Sequence, residues 1–149
     1  AGDGNSRTGY VAPMDLFFYG TLMDRDVLGR VVGRPFGPDR LKPATLAGWR
    51  RVRALGKAYP IVLPDPDGRV EGVVVNRLAP GDVTRLCRYE GDGYELVPTE
   101  VTQDGRTRRV HFFRPTAVYK ADPRPWDFAA CVAEEKAAFL NRIARHLVA

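Results

Sequence analysis

The sequence predicts an α+β domain: a curled mixed β-sheet or small β-barrel flanked by helices. Three observations lead there. Short apolar runs such as Leu16-Phe17-Phe18-Tyr19 and Val73-Val74-Val75 have the length of buried strands. Glycines fall inside strand-like stretches, at Gly48 and Gly72, where they signal bulges or bends. Strand-like segments also follow one another without the regular strand–helix alternation of a doubly wound sheet.

The 149 residues suit one domain, 44% hydrophobic and 28% charged. Residues 1–13 are small, polar and glycine-rich, with no apolar signal-peptide core, and read as a tag or disordered arm. Met14 reads as the natural start, and residues 14–149 as a single domain.

Leu16 to Tyr19 is the first predicted strand, broken by Gly20-Thr21-Leu22. Asp24 is placed to cap a short helix carrying Val27, Leu28, Val31 and Val32, which Gly33 ends. Pro35 to Pro43 reads as a loop, and Ala44 to Arg53 as a strand interrupted by Gly48. Tyr59 to Leu63 and Val70 to Val75 read as two strands around the turn signal Pro64-Asp65-Pro66-Asp67-Gly68. Pro80 suits the first turn of a helix to Tyr89, with Val83, Leu86 and Cys87 on one face and Gly91 as its stop. Tyr94 to Gln103 and Arg108 to Phe113 flank Asp104-Gly105, a hairpin signal. Val118-Tyr119 extends the sheet. From Trp126 to Leu147 a stripe of Phe128, Val132, Phe139, Ile143 and Leu147 predicts a helix, with Arg142, Arg145 and His146 near its C-terminal end, where cations suit the helix dipole.

Composition narrows the function. Cys87 and Cys131 lie far apart, without metal-ligand spacing to His111 or His146, so no disulfide framework or metal site is expected; both read as small buried hydrophobes, and a reducing cytoplasm as the compartment. No apolar run approaches membrane-spanning length. The net charge of +5 is mostly scattered arginine, densest at Arg50, Arg51 and Arg53. It reads as a solvated surface, since no basic stripe interleaves with stacking aromatics as nucleic-acid binding would require.

Two segments carry chemistry. Phe18-Tyr19-Gly20-Thr21-Leu22 ends a strand in a glycine turn, whose successive N–H groups suit a carboxylate or oxyanion. Tyr89-Glu90-Gly91-Asp92-Gly93-Tyr94 puts a carboxylate at a helix C-terminus, where the dipole disfavours an anion and raises its proton affinity, as a general acid/base needs. Taken singly, these read as an ordinary strand-to-helix turn and a solvent-exposed glutamate.

Together they resemble the γ-glutamylcyclotransferase and AIG2-like family. Its members carry a strand ending Tyr-Gly-Thr/Ser-Leu, a central Tyr-Pro, and a helix ending Leu-Asp-x-Phe/Tyr-Glu-Gly before a tyrosine-containing strand. The matching residues are Tyr19 to Leu22, Tyr59-Pro60, Leu86 to Gly91 and Tyr94, and the resemblance runs from Met14 to about Leu147. Cys87 stands where the family has Asp, and Glu95-Leu96 where it has a basic residue.

The resemblance implies a reaction in which the α-amine of a γ-glutamyl compound attacks its own γ-amide, releasing 5-oxoproline and an amine. Because the nucleophile belongs to the substrate, no metal or cofactor is implied. Glu90 would be the catalytic acid/base, and Tyr19, Gly20, Thr21, Leu22 and Tyr119 would hold the substrate, with Tyr59 and Tyr94 either further substrate-binding residues or core packing. The implied partner is a small γ-glutamyl molecule, not nucleic acid or membrane; the oligomeric state is left open. A non-catalytic small-molecule-binding module on the same scaffold is the alternative reading.

Overall fold

A computed structural model describes residues 12–116 and 120–148, with the side chains at 139–140 and 142–148 of the last helix left out. Residues 1–11 and 117–119, Val118 and Tyr119 among them, therefore lie outside the described residues, as do the side chains of Phe139, Arg142, Ile143, Arg145, His146 and Leu147. Among the described residues five strands form a closed barrel: β1 (Met14–Phe18), β2 (Leu41–Arg53), β3 (Pro60–Leu78), β4 (Tyr94–Gln103) and β5 (Arg106–Pro115), in the order β1-β3-β2-β4-β5. Helices α1 (Arg25–Val32), α2 (Pro80–Glu90) and α3 (Phe128–Val148) join them. The curled-sheet expectation therefore holds in its barrel form.

Closure falls to β1. It pairs antiparallel with β3 (Phe17↔Val74) and parallel with β5 (Leu16↔His111). Because strand side chains alternate between faces, Phe17 and Tyr19 enter the barrel beside Leu46, Val74 and Phe112. Leu16 and Phe18 point the other way and meet Leu28, Val32 and Leu86 under α1 and α2. One apolar tetrapeptide thus serves two cores.

The close approach of β1 to β3 requires glycine at position 72. A Cβ there would lie 2.3 Å from the Phe18 carbonyl oxygen and 2.5 Å from Cζ of Phe17. The first of these is backbone in the closing strand and cannot swing aside.

The helices are fixed at their ends. The Asp24 carboxylate accepts the Asp26 and Val27 amides at 2.9 and 3.0 Å, capping α1 as its sequence suggests. Buried Asp82 accepts the Ala79 amide at 2.9 Å and pairs with Arg34 at 2.6 Å, tying the start of α2 to the chain leaving α1. Gly91 ends α2 with φ 77° and ψ −167°, a backbone region open essentially to glycine alone.

Several expectations are corrected. Pro64 to Gly68 is not a reversal between two strands, because β3 continues through it. Ala47 pairs with Arg69 and Trp49 with Pro64, so residues 65–68 bulge opposite Gly48 alone. The Asp67 amide closes this bulge onto the Asp65 carboxylate at 3.0 Å. Turn residues here shape a bulge because long pairing continues on both sides of it. The Pro35–Pro43 segment is not all loop: Pro38–Arg40 forms a 3-10 turn and β2 begins at Leu41. Pro43 lies near the start of that strand, where a missing N–H costs little. Cys131 is buried but Cys87 is exposed, one position past the buried Leu86 on α2. Helix α3 begins at Phe128, where Asp127 accepts the Ala129 amide at 3.0 Å, and not at Trp126. The arginine patch is not wholly solvated surface. Arg51 donates to the carbonyls of Tyr19 (3.0 Å) and Glu71 (2.8 Å) and stacks on Trp126, 4.5 Å from the ring centroid.

The barrel geometry predicts that Gly72→Ala destabilises the protein by more than about 2 kcal/mol, because the added methyl must displace backbone. Urea denaturation checks this; a loss within a few tenths of a kcal/mol would show that β1 tolerates the displacement.

Candidate active site

A cavity of about 720 Å³ opens between the end of β1, α2 and α3. Its wall includes Tyr19, Gly20, Thr21, Leu22, Tyr59, Tyr94 and Glu90. Of the residues selected from sequence, Tyr119 lies outside the described residues.

Each segment reaches the cavity for a local reason. Beyond β1 the chain turns at Gly20 into a 3-10 helix, Thr21–Met23. The bonds of that turn run from Met23 N–H to the Gly20 carbonyl and from Asp24 N–H to the Thr21 carbonyl, both 3.0 Å. The amides of Gly20, Thr21 and Leu22 are not consumed by the turn. Gly20 also packs on the Tyr59-Pro60 segment: a Cβ there would lie 3.2 Å from Cγ of Pro60.

Glu90 is the last residue of α2 and partly buried. Burial is the main cause that pushes its carboxyl up from the usual 4.5 to about 8, and repulsion from Glu135 adds to it. At neutral pH most of this carboxyl therefore holds its proton.

The tyrosines divide by what their hydroxyls do. Tyr19 lines the cavity, but its buried hydroxyl donates to the Phe113 carbonyl at 2.8 Å, locking β1 to β5. It is therefore a wall and a lock more than a donor to the cavity. Tyr59 and Tyr94 line the cavity and are partly buried.

Sequence reasoning missed several residues of this wall, among them Arg30, Arg85, Arg88, Tyr89 and Glu135. Tyr89 stands beside Glu90 in the same motif, and that adjacency was its available signal. Its hydroxyl donates to Oε2 of Glu135 at 2.8 Å and lies 3.2 Å from Oγ1 of Thr21. Burial pushes the phenol's proton affinity well up, so it stays a donor. Glu135 had no signal, being one of two adjacent glutamates on a helix. Among the described residues, no group of three or more His, Cys, Asp or Glu side chains is arranged to hold a metal ion, and no helix is long and apolar enough to cross a membrane.

A closed five-stranded barrel with a cavity at the mouth beneath three helices is the γ-glutamylcyclotransferase fold. The family model "Gamma-glutamyl cyclotransferase, AIG2-like" matches residues 16–129, and the chain belongs to that family. AIG2-like protein C of Arabidopsis thaliana is 29% identical over 141 residues, spanning 91% of this chain and 79% of its own length. The solution structure of another Arabidopsis thaliana protein superposes with a TM-score of 0.64 at 26% identity, covering 89% of each chain. The structure of a gamma-glutamyl cyclotransferase superposes with a TM-score of 0.58 over 72% of this chain and 69% of that one; at 14% identity this likeness shows the fold alone.

The raised proton affinity of Glu90 sets a pH dependence of stability. Below about 4.5 the carboxyl is protonated folded and unfolded alike. As pH rises toward 8 the unfolded chain releases a proton that the fold retains, so Glu90 costs stability increasingly up to about pH 8. Glu90→Gln removes this cost. Its stability relative to the wild type should be near level at pH 4.5 and higher by roughly 1–3 kcal/mol at pH 8. Denaturant melts at the two pH values test this, and a difference independent of pH would contradict it.

Proposed function

We propose that this protein is a γ-glutamylcyclotransferase-type enzyme. The α-amine of a γ-glutamyl compound attacks the γ-amide carbonyl carbon of the same molecule. A C–N bond closes the five-membered ring, the bond to the leaving amine breaks, and 5-oxoproline and the amine depart. Family membership supports the reaction type. The observation that carries the reading is a carboxyl with proton affinity near 8, Glu90, on the same cavity as the amides that the turn leaves at Gly20 to Leu22.

The chemistry needs one proton carrier. The α-ammonium must lose a proton before attack, and the leaving nitrogen must gain one. An ordinary glutamate, near 4.3, is far below an α-amine at about 7.7–8.0. A glutamate near 8 exchanges a proton with that amine at almost no cost in either direction. Glu90 takes one proton from the ammonium before attack and passes it to the leaving nitrogen; it takes the second from the ring nitrogen after the C–N bond forms and returns that one to the departing amine, which leaves as an ammonium, so Glu90 ends as it began. The Gly20–Leu22 amides stabilise the oxyanion that forms on the carbonyl oxygen. Holding the substrate folded supplies much of the remaining rate, and the cavity volume is ample for a dipeptide-sized molecule. The cytoplasm, with its free γ-glutamyl compounds and reduced thiols, is the compartment that fits this reading.

The reactive pair, carboxylate with ammonium, holds one proton in all. With both groups protonated there is no base, and with neither protonated there is no acid. The kcat/KM profile should therefore be a bell whose acid limb falls by one proton below about pH 8. A screen of γ-glutamyl compounds for released 5-oxoproline identifies a substrate for this measurement. With it, Glu90→Gln should lower kcat by about 10²–10⁴-fold, at the upper end because one group serves both transfers, with the fold intact by circular dichroism. Retention of most of the wild-type rate in Glu90→Gln would assign the proton transfers elsewhere.

A further inference from the structure

Glu135 lies on α3, beyond the stretch 16–129 matched by the family model, yet its side chain lines the same cavity as Glu90. It is partly buried and faces into the site instead of joining the exposed outer face of its helix. It accepts the Tyr89 hydroxyl at 2.8 Å, and Tyr89 meets the Thr21 hydroxyl at 3.2 Å. This chain of three groups links α3, α2 and the 3-10 turn after β1.

The next residue holds helix α3 in place. Lys136 reaches the carboxylates of Asp24 and Asp26, both at 3.4 Å, across the start of α1. We propose that Glu135 is a positioning residue of the active site: held by Tyr89, its carboxylate keeps a fixed negative charge beside Glu90 and anchors the Thr21 hydroxyl at the cavity floor. The inference rests on reading Glu90 as the proton carrier.

Tyr89 remains a phenol and gives its proton to Glu135, so its oxygen takes the Thr21 proton. A second anion disfavours ionisation of Glu90. The groups around Glu135 are of both signs, and its own charge acts to raise the proton affinity of Glu90. It shares the cavity wall with Tyr89, Glu90, Arg85 and Arg88 of α2, Arg30 of α1, and Tyr59 and Tyr94. On its own helix Cys131 is a thiol whose proton affinity is itself raised, mainly by burial, and Lys136 is engaged by the two aspartates. Arg30 pairs with Asp26.

The test needs no substrate. The side-chain carboxyls of a ¹³C-glutamate-labelled protein are titrated by NMR, and the Glu90 signal is identified by its loss in Glu90→Gln. The amide introduced by Glu135→Gln would still accept the Tyr89 hydroxyl, so a purely structural role for this position leaves the Glu90 midpoint where it is. The proposal instead requires the midpoint to fall in Glu135→Gln, by roughly one pH unit for a like charge removed from the same cavity. In Tyr89→Phe the retained Glu135 charge loses its anchor, so the midpoint falls by less. In the double variant it equals that of Glu135→Gln alone. Tyr89→Phe also serves if Glu135→Gln does not fold.

Where a turned-over γ-glutamyl compound is in hand, the acid limb of kcat/KM should move with the titration. A Glu90 midpoint identical in the wild type and the variants overturns the proposal. Absence of 5-oxoproline release with shifted midpoints would overturn the proposed activity instead, leaving the electrostatic role of Glu135 intact.

Discussion

Strand β1 pairs antiparallel with β3 along one edge and parallel with β5 along the other, and everything at the cavity hangs from that double pairing. A barrel edge left open would expose unpaired amides and carbonyls. Here a five-residue strand covers both edges at once. Its hold is reinforced at the exit, where the Tyr19 hydroxyl bonds the Phe113 carbonyl and Arg51 bonds the Tyr19 carbonyl. The turn that follows, Gly20 to Leu22, therefore leaves the barrel at a fixed place and angle. The bareness of Gly72 is part of the same constraint, since a side chain there would push the closing strand away.

The site inherits this rigidity from one side and takes its chemistry from the other. Helix α2 crosses the barrel mouth with its start clamped by the Arg34–Asp82 pair and its end cut by Gly91. Glu90 sits at that cut. The fold thus places a carboxylate where two separate effects disfavour its charge: the carbonyl end of a helix, and burial among the aromatic walls of the cavity. Burial contributes more than the repulsion from Glu135 on α3, which acts in the same direction. The raised proton affinity of Glu90 costs stability above pH 4.5, the kind of local cost that concentrates at functional sites.

Helix α3 joins the barrel to the cavity. Arg51 stacks on Trp126 just ahead of it, Lys136 ties it to the start of α1, and Glu135 reaches Tyr89. None of these contacts is local in sequence. They make the C-terminal helix a wall of the site and not merely an outer layer.

Much of this was legible in the sequence by itself. The β1 strand, the Asp24 cap, the Gly33 and Gly91 stops and the Asp104-Gly105 hairpin follow from short-range chemistry that a few neighbouring residues determine. The Tyr19–Leu22 and Tyr89–Tyr94 segments, each ordinary when taken singly, stood out as a pair through the resemblance they carry together. What tertiary structure alone decided involves partners distant along the chain. Pro64 to Gly68 carries every mark of a turn, but continued pairing of β2 with β3 on both sides makes it a bulge. Arg51 looks like a surface cation until β1 and Trp126 are brought to it. Glu135 is indistinguishable from Glu134 in sequence; only the packing of α3 over α2 sends one of them into the cavity. Short-range propensity fixes the elements, whereas the charge and enclosure around Glu90 arise when segments from both ends of the chain meet, and no local pattern encodes that meeting.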